Sequence, residues 1–267
     1  GLASLGLLMR QHEPAGPREE GAGGWASLRA ALADRRVRPY LHYQLAWNAA
    51  VGISASFFAY HLLTNLRTGF LLVAAHGVVV AVVRIASARL WGRAVDRIGA
   101  RPVLIFCSFG IAAVPAIWLF PTPDRLWPIA IEAVLSGFLW GGHAIAALDL
   151  TIGLAPRSGR PFYLAAFATA GGLGFGAASV LAGQLATLAP AHFVMGGLEW
   201  TGIHILFFLS ALGRLAGGAL AVRLQDPGAR GGVPELMRSL SAPLRTAVAD
   251  SFVPDLARMP VFARRQR

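Results

Sequence analysis

Six apolar stretches of membrane-crossing length, separated by short polar connectors, constrain this chain more than any other feature. About 20 residues at 1.5 Å of rise each cover the ~30 Å of hydrocarbon in a bilayer. The stretches run from Leu41 to Leu63, Gly69 to Trp91, Pro102 to Phe120, Trp127 to Leu154, Phe162 to Ala189 and Thr201 to Val222. Breakers and charge fill the gaps, around Asn65 and Arg67, Arg93 to Arg101, Pro121 to Arg125, Pro156 to Pro161 and Pro190 to Glu199. Connectors this short make successive spans antiparallel neighbours, so the expected fold class is an all-α integral membrane protein of six transmembrane helices. Composition agrees, because 14% charged residues is well below the roughly 25% of a soluble domain.

The net charge of +11 would suit a nucleic-acid partner, but all 24 basic residues are Arg and they sit mostly between apolar runs. Membrane orientation explains them better, since cytoplasmic loops retain positive charge. Arg10, Arg18, Arg29, Arg35, Arg36 and Arg38 precede the first span; Arg89, Arg93, Arg97 and Arg101 follow the second; Arg157 and Arg160 follow the fourth; eight more lie from Arg223 onward. The other side holds only Arg67 and Arg125. Both ends of the chain are therefore expected in the cytoplasm. Cys107 lies alone in an apolar run and can form neither an internal disulfide nor a multi-cysteine metal site.

Residues Gly1 to Met9 are apolar but too short to span, and residues 10–40 form a cytoplasmic connector. Within it, His12 to Gly24 is a linker rich in Gly, Pro and Glu, and Trp25 to Arg38 carries Trp25, Leu28 and Leu32 at the spacing of a surface amphipathic helix. The six-helix domain occupies 41–222, and 223–267 is a polar tail with a helical pattern near Leu236 to Val248.

The connector after the second span reads Gly92-Arg93-Ala94-Val95-Asp96-Arg97-Ile98-Gly99-Ala100-Arg101-Pro102-Val103-Leu104. It resembles the cytoplasmic signature of the major facilitator superfamily, G-x-x-x-D-R-x-G-x-R/K-x-x-L, found between the second and third helices of each six-helix half. Its signature positions here are Gly92, Asp96, Arg97, Gly99 and Arg101, with Asp96 expected to face the positive end of a helix dipole. Weaker likenesses run from Arg38 to Arg223, among them Phe57-Phe58 before Tyr60 and Leu206 to Ala211 followed by Arg214. The resemblance implies a carboxy-terminal half preceded by the central connector, with Gly1 to Met9 as the end of an earlier helix and an amino-terminal half as missing partner. It implies a secondary transporter of a small solute, coupled to protons and working by alternating access, in the inner membrane of a bacterium. Anionic lipids are expected partners, nucleic acid is not, and neither cofactor nor metal is expected.

In such transporters the substrate sits near the midplane, and the first, second, fourth and fifth spans of this half would line the path. Candidates for the cavity or a proton site are Asn48, Trp47, His76, Glu132, Trp140 and His143. Asn48 is equally a packing residue, and Trp47 could face lipid. Glu132 lies about five residues inside the outer end of its span, so a solvated outer-rim carboxylate is expected over a proton site, and a hydrogen-bonded packing role over a coupling role for His143. Arg84 and Asp149 lie at depths of roughly 10 Å and 8 Å from the cytoplasmic side, which suggests an inner-gate pair, with Arg93 or Arg97 as other partners for Asp149. The alternative for Arg84 is snorkelling to the headgroups. Gly172 and Gly176 form G-x-x-x-G, expected as a packing face, while Ser210 and Arg214 read as cytoplasmic anchoring.

No catalytic residues are expected. A rhomboid-like protease would need a G-x-S-G serine, which does not occur; only Ser136 and His204 stand near such chemistry, and no H-E-x-x-H is present. The other alternative is a half-size protein that acts as a homodimer or as a noncatalytic scaffold.

Overall fold

The structure, a computed structural model, describes residues 24–156, 159–190, 192–226 and 228–241. Helix α1 (Gly24–Ala33) precedes α2 (Arg38–Ala55), which starts with Pro39 in its first turn, where a missing N–H costs nothing. One helical turn, α3 (Phe57–Tyr60), and a π-helical turn (His61–Asn65) follow. The long helices are α4 (Phe70–Ile98), α5 (Ala100–Ile117), α6 (Trp127–Leu154), α7 (Arg160–Leu188) and α8 (Gly202–Val222), and residues 233–241 are helical beyond them. The apolar Gly1 to Met9, the linker from His12 as far as Gly23 and the tail beyond 241 lie outside the described residues.

Among the described residues, five helices, α4 to α8, are long and apolar enough to cross a membrane. The expected first span is instead an 18-residue helix that breaks at Ser56, with Arg38, His42, Gln44 and Asn48 making its first half polar. The break lets Phe58 stack on Phe207 and meet Trp118, both with ring centroids 4.9 Å away. A second difference is the expected connector Arg93 to Arg101, which is almost wholly helical: α4 runs through to Ile98, and only Gly99 separates it from α5. The connector before α8 adds a small antiparallel hairpin, β1 (Phe193–Met195) with β2 (Leu198–Trp200), turned by Gly196 and Gly197 at positive φ.

Helix α2 packs between α7 and α8, α5 packs on α6 and α8, and α4 packs on α6. The larger core, around Tyr43, Trp47, Trp91, Leu104 and Phe167, lies toward the Gly99 end; a smaller one joins Leu62, Trp118, Ile129 and Phe207. The α2–α7 contact is close because of glycine. A Cβ on Gly171 would meet the Asn48 side chain at 3.0 Å, and one on Gly174 would collide with the Leu45 carbonyl. The expected packing pair was Gly172 and Gly176, but both face open space. At about 100° per residue, the helical register turns each of them off the side of α7 that meets α2.

The Gly99 turn is held by the segment after α8. Gly99 has φ 117°, a conformation that side chains resist, and a Cβ there would lie 2.7 Å from Cα of Ala229. The N–H groups of Arg230 and Gly231 both donate to the Ile98 carbonyl, at 2.8 and 3.1 Å. Asp226 accepts from the Arg101 N–H through Oδ2 at 2.9 Å and from the Gly228 N–H through Oδ1 at 2.9 Å. The carboxylate at the positive end of α5 is thus Asp226. Asp96, expected in that role, is exposed and makes no hydrogen bond among the described residues. Replacing Asp226 by Ala should destabilise this turn by about 1–2 kcal/mol, read as faster hydrogen exchange at the Arg101 and Gly228 amides with α6 protection unchanged.

The start of α7 joins the same end of the molecule. Tyr163 donates to Asp34, after α1, at 3.0 Å, and the Tyr40 hydroxyl meets the Ala147 carbonyl and the Thr151 hydroxyl at 3.0 and 2.7 Å.

Candidate functional site

Polar and aromatic residues on α4 and α6 recur at helical spacing: His76 and Arg84 on one, with Val80 between them, and Glu132, Ser136 and Trp140 on the other. Helix packing turns these two rows toward each other. They line a cavity of about 290 Å³, together with Val51, Ala55, Phe58, Val114 and Trp118 and with Arg214 from α8.

Glu132 is 3% exposed, and its Oε2 lies 2.6 Å from Nε2 of His76. The expected solvated outer-rim position is corrected. Its depth along α6 is shallow, but its direction is inward, with His76 set in turn 5.7 Å from the Trp118 ring. A buried carboxylate without such a partner would cost several kcal/mol, so the pair is a unit. It can share or exchange one proton, which an isolated carboxylate in hydrocarbon could not do cheaply.

Arg214, expected as a cytoplasmic anchor, is 1% exposed in the bundle interior. Its Nη2 donates to Ser54 Oγ at 3.0 Å and its Nη1 to the Ile111 carbonyl at 3.4 Å, with the guanidinium carbon 6.0 Å from the Trp140 ring centroid. Ser54 and Ser210 share a 2.9 Å hydrogen bond, and Ser210 donates to the Ala50 carbonyl, which fixes α8 on α2. Sequence reasoning missed Ser54 and misplaced Ser210 and Arg214. The signal available was depth, since Arg214 is eight residues or about 12 Å from Val222.

Deeper toward the Gly99 end, His143 is buried and its Nε2 lies 2.8 Å from the Tyr43 hydroxyl, which also reaches Ser108 at 3.3 Å. Its ring stacks on Trp47 at 4.8 Å, and Trp140 meets both. Trp47 is 2% exposed, so it belongs to this aromatic layer and not to a lipid-facing surface. Asn48 donates to the Gln44 carbonyl at 2.8 Å and packs on Gly171, outside the cavity lining.

The expected inner gate is not assembled. Arg84 lines the cavity with Glu132, whereas Asp149 lies at the Gly99 end, where it lines a small cleft with Asp226 and is within electrostatic reach of Asp96. Neither Arg84, Arg93 nor Arg97 pairs with Asp149 among the described residues. Arg89, Arg93 and Arg97 instead line a groove between α4 and the helical residues 233–241. Glu235 faces this groove, its carboxyl held below the usual range by the Gly232 N–H at 2.9 Å, with Arg238 adding at 3.1 Å. At the other end of the molecule His204 caps α8, accepting from the Thr201 N–H at 3.0 Å, while Ser136 lines the cavity.

Comparison with known proteins bears on the fold and the family. The bacterial homologue of the iron transporter ferroportin, crystallised in an outward-facing state, superposes with a TM-score of 0.54 at 16% identity. The alignment covers 83% of this chain and 52% of that one, so the chain spans about half the length of the transporter it resembles. At that identity the likeness is one of fold. No curated protein matches the sequence. The model of the Major Facilitator Superfamily matches residues 1–179, two thirds of the length, and takes in the signature turn and the rows that line the cavity. With its apolar helices, that match makes this multi-pass membrane protein a member of the Major Facilitator Superfamily.

Proposed function

We propose that this chain is one six-helix half of a secondary transporter that carries a small solute across a bacterial inner membrane by alternating access, driven by protons. The observation that carries this reading is the buried Glu132–His76 pair, 2.6 Å apart in a cavity of the bundle. Both groups can bind and release a proton, and a buried, paired carboxylate suits coupling because its charge is not stranded in hydrocarbon. The membrane path counts α2, α3 and the π turn together as the sixth span. That count is supported by the gathering of the starts of α2 and α7 with the ends of α6 and, at the Gly99 turn, of α4 and α8. The Arg-rich end is cytoplasmic on charge grounds, and its Arg89, Arg93 and Arg97 groove suits anionic headgroups.

A second six-helix body completes the path. Only 6% of the apolar stretch of α4 and 22% of that of α7 is buried, against 50 to 56% for α5, α6 and α8. These two helices expose Leu71, Val78, Ile85, Leu173, Val180 and Leu181, and on α7 Gly172 and Gly176 leave room for close approach. An amino-terminal half is the proposed occupant, and a second copy of this chain is the alternative.

The test is proton movement in proteoliposomes loaded with a pH-sensitive dye and screened with small organic solutes. Solute-dependent proton flux is expected, and Glu132→Gln should reduce it by about tenfold or more. Unchanged flux in Glu132→Gln and in His76→Ala would remove the pair from coupling.

A further inference from the structure

The charges of the cavity do not balance. Two guanidinium groups, Arg84 and Arg214, line it with one carboxylate, Glu132, and that carboxylate is engaged by His76. Arg214 makes no ion pair among the described residues, although it is 1% exposed. Of the five N–H donors of a guanidinium, it uses one on Ser54 and one, at a long 3.4 Å, on the Ile111 carbonyl. Its Nε is buried without any hydrogen-bond partner. Buried cations are normally paired, and a buried donor normally finds an acceptor. Here, at the wall of a cavity, the cation meets Glu132 only from beyond ion-pair distance and its Nε has no acceptor.

We infer that the cavity is the binding site for a small organic monoanion, a carboxylate held by Arg214 and Arg84 with its apolar body against Trp118, Phe58 and Val114. The fork of Arg214 is oriented by Ser54, itself fixed by Ser210, so the donor is preorganised for a planar carboxylate. Arg84 stands on the α4 side, its stem packed over Gly141, and it is exposed where α4 lacks a neighbour. It is the outer of the two cations on any route through that side. The volume, about 290 Å³, lies at the small end of ligand sites, which begin near roughly 300 Å³. Apart from the four charged or titratable side chains, Ser136 and the two Trp, the lining is aliphatic or Phe. It suits one anionic group on a short hydrocarbon body and disfavours a polyanion or a sugar.

This deepens the transport reading by giving its substrate class, and the test is binding, so the two fail separately. Purified full chain in lipid nanodiscs is titrated with hexanoate, hexanamide and hexylamine, isosteric probes of charge −1, 0 and +1. Fluorescence of Trp118 and Trp140 is read together with heat of binding. Saturable hexanoate binding is expected, with hexanamide about tenfold weaker or more and hexylamine absent. Arg214→Gln should weaken hexanoate by about tenfold or more, and Arg214→Lys by less, because charge is kept while the fork is lost. Should Arg214→Gln fail to fold, Arg84→Gln on the exposed side of α4 decides, with a loss of about threefold or more expected. Equal binding of hexanoate and hexanamide, preference for hexylamine, displacement by equimolar chloride, no binding of any probe, or unchanged affinity in these variants would each overturn the assignment. Binding without proton-linked transport in proteoliposomes would keep the site and remove the coupling.

Discussion

Valine at position 174 should destabilise the fold by about 3 kcal/mol or more, while valine at 172 or 176 should leave the thermal midpoint of the bundle nearly unchanged. The new Cβ at 174 would press on the carbonyl of Leu45 and lie 3.3 Å from the Ala49 nitrogen, both backbone, so no rotamer change relieves it. Helices α2 and α7 would have to separate. That would pull Gly171 from Asn48 and break the 3.1 Å hydrogen bond from Ser179 to the Gly52 carbonyl. At Gly172 and Gly176 an added Cβ meets nothing within 4 Å. If a second body covers that face as proposed, these two substitutions should act on assembly instead, lowering recovery of the complex by size-exclusion chromatography while the bundle melts normally. A large loss of midpoint in Gly172→Val would contradict the packing described.

Replacing Arg214 by Met should abolish carboxylate binding and destabilise the protein by about 1–3 kcal/mol. Ser54 keeps Ser210 when the guanidinium is removed, but the Ile111 carbonyl faces Pro115 one turn on, has no ladder N–H there and loses the donor that Arg214 supplies. Methionine fills most of the same volume with a flexible chain. Thermal unfolding in detergent checks the sign, and a rise in midpoint would mean that the desolvation cost of the buried guanidinium outweighs its tie between α8, α2 and α5.

How far the sequence disclosed all this depends on which coordinate a residue needs. Position along the membrane normal follows from counting, and so α6 begins and ends where Trp127-Pro128 and Leu154 mark it, and α5, α7 and α8 differ from expectation by a few residues. Direction around a helix does not follow from counting. Depth alone reads Glu132 as a rim residue, yet its side chain turns inward. The rows His76–Val80–Arg84 and Glu132–Ser136–Trp140 held that information as four-residue spacing, but only the α4–α6 packing shows that the rows face each other. The end of α4 was lost for another reason. Arg89, Arg93 and Arg97 read as a loop by their charge, yet they repeat every four residues and continue the helix with Trp91, Ala94 and Ile98 on its buried side. The break at Ser56 has no marker in composition, since neither Gly nor Pro stands there.

The clasp on the Gly99 turn limits how the cavity can change shape. With Ile98 bonded to Arg230 and Gly231, and Arg101 to Asp226, the ends of α4, α5 and α8 are stapled at one level. Helices α4 and α8 carry Arg84 and Arg214, so the two cations share a fixed pivot, and neither can swing away there without breaking the staple. Widening must come from the far end, where α3 and the π turn replace a continuous helix and the short β1–β2 hairpin leads into α8. The bundle is built like a pair of tongs, riveted at the signature and free to open at the tips.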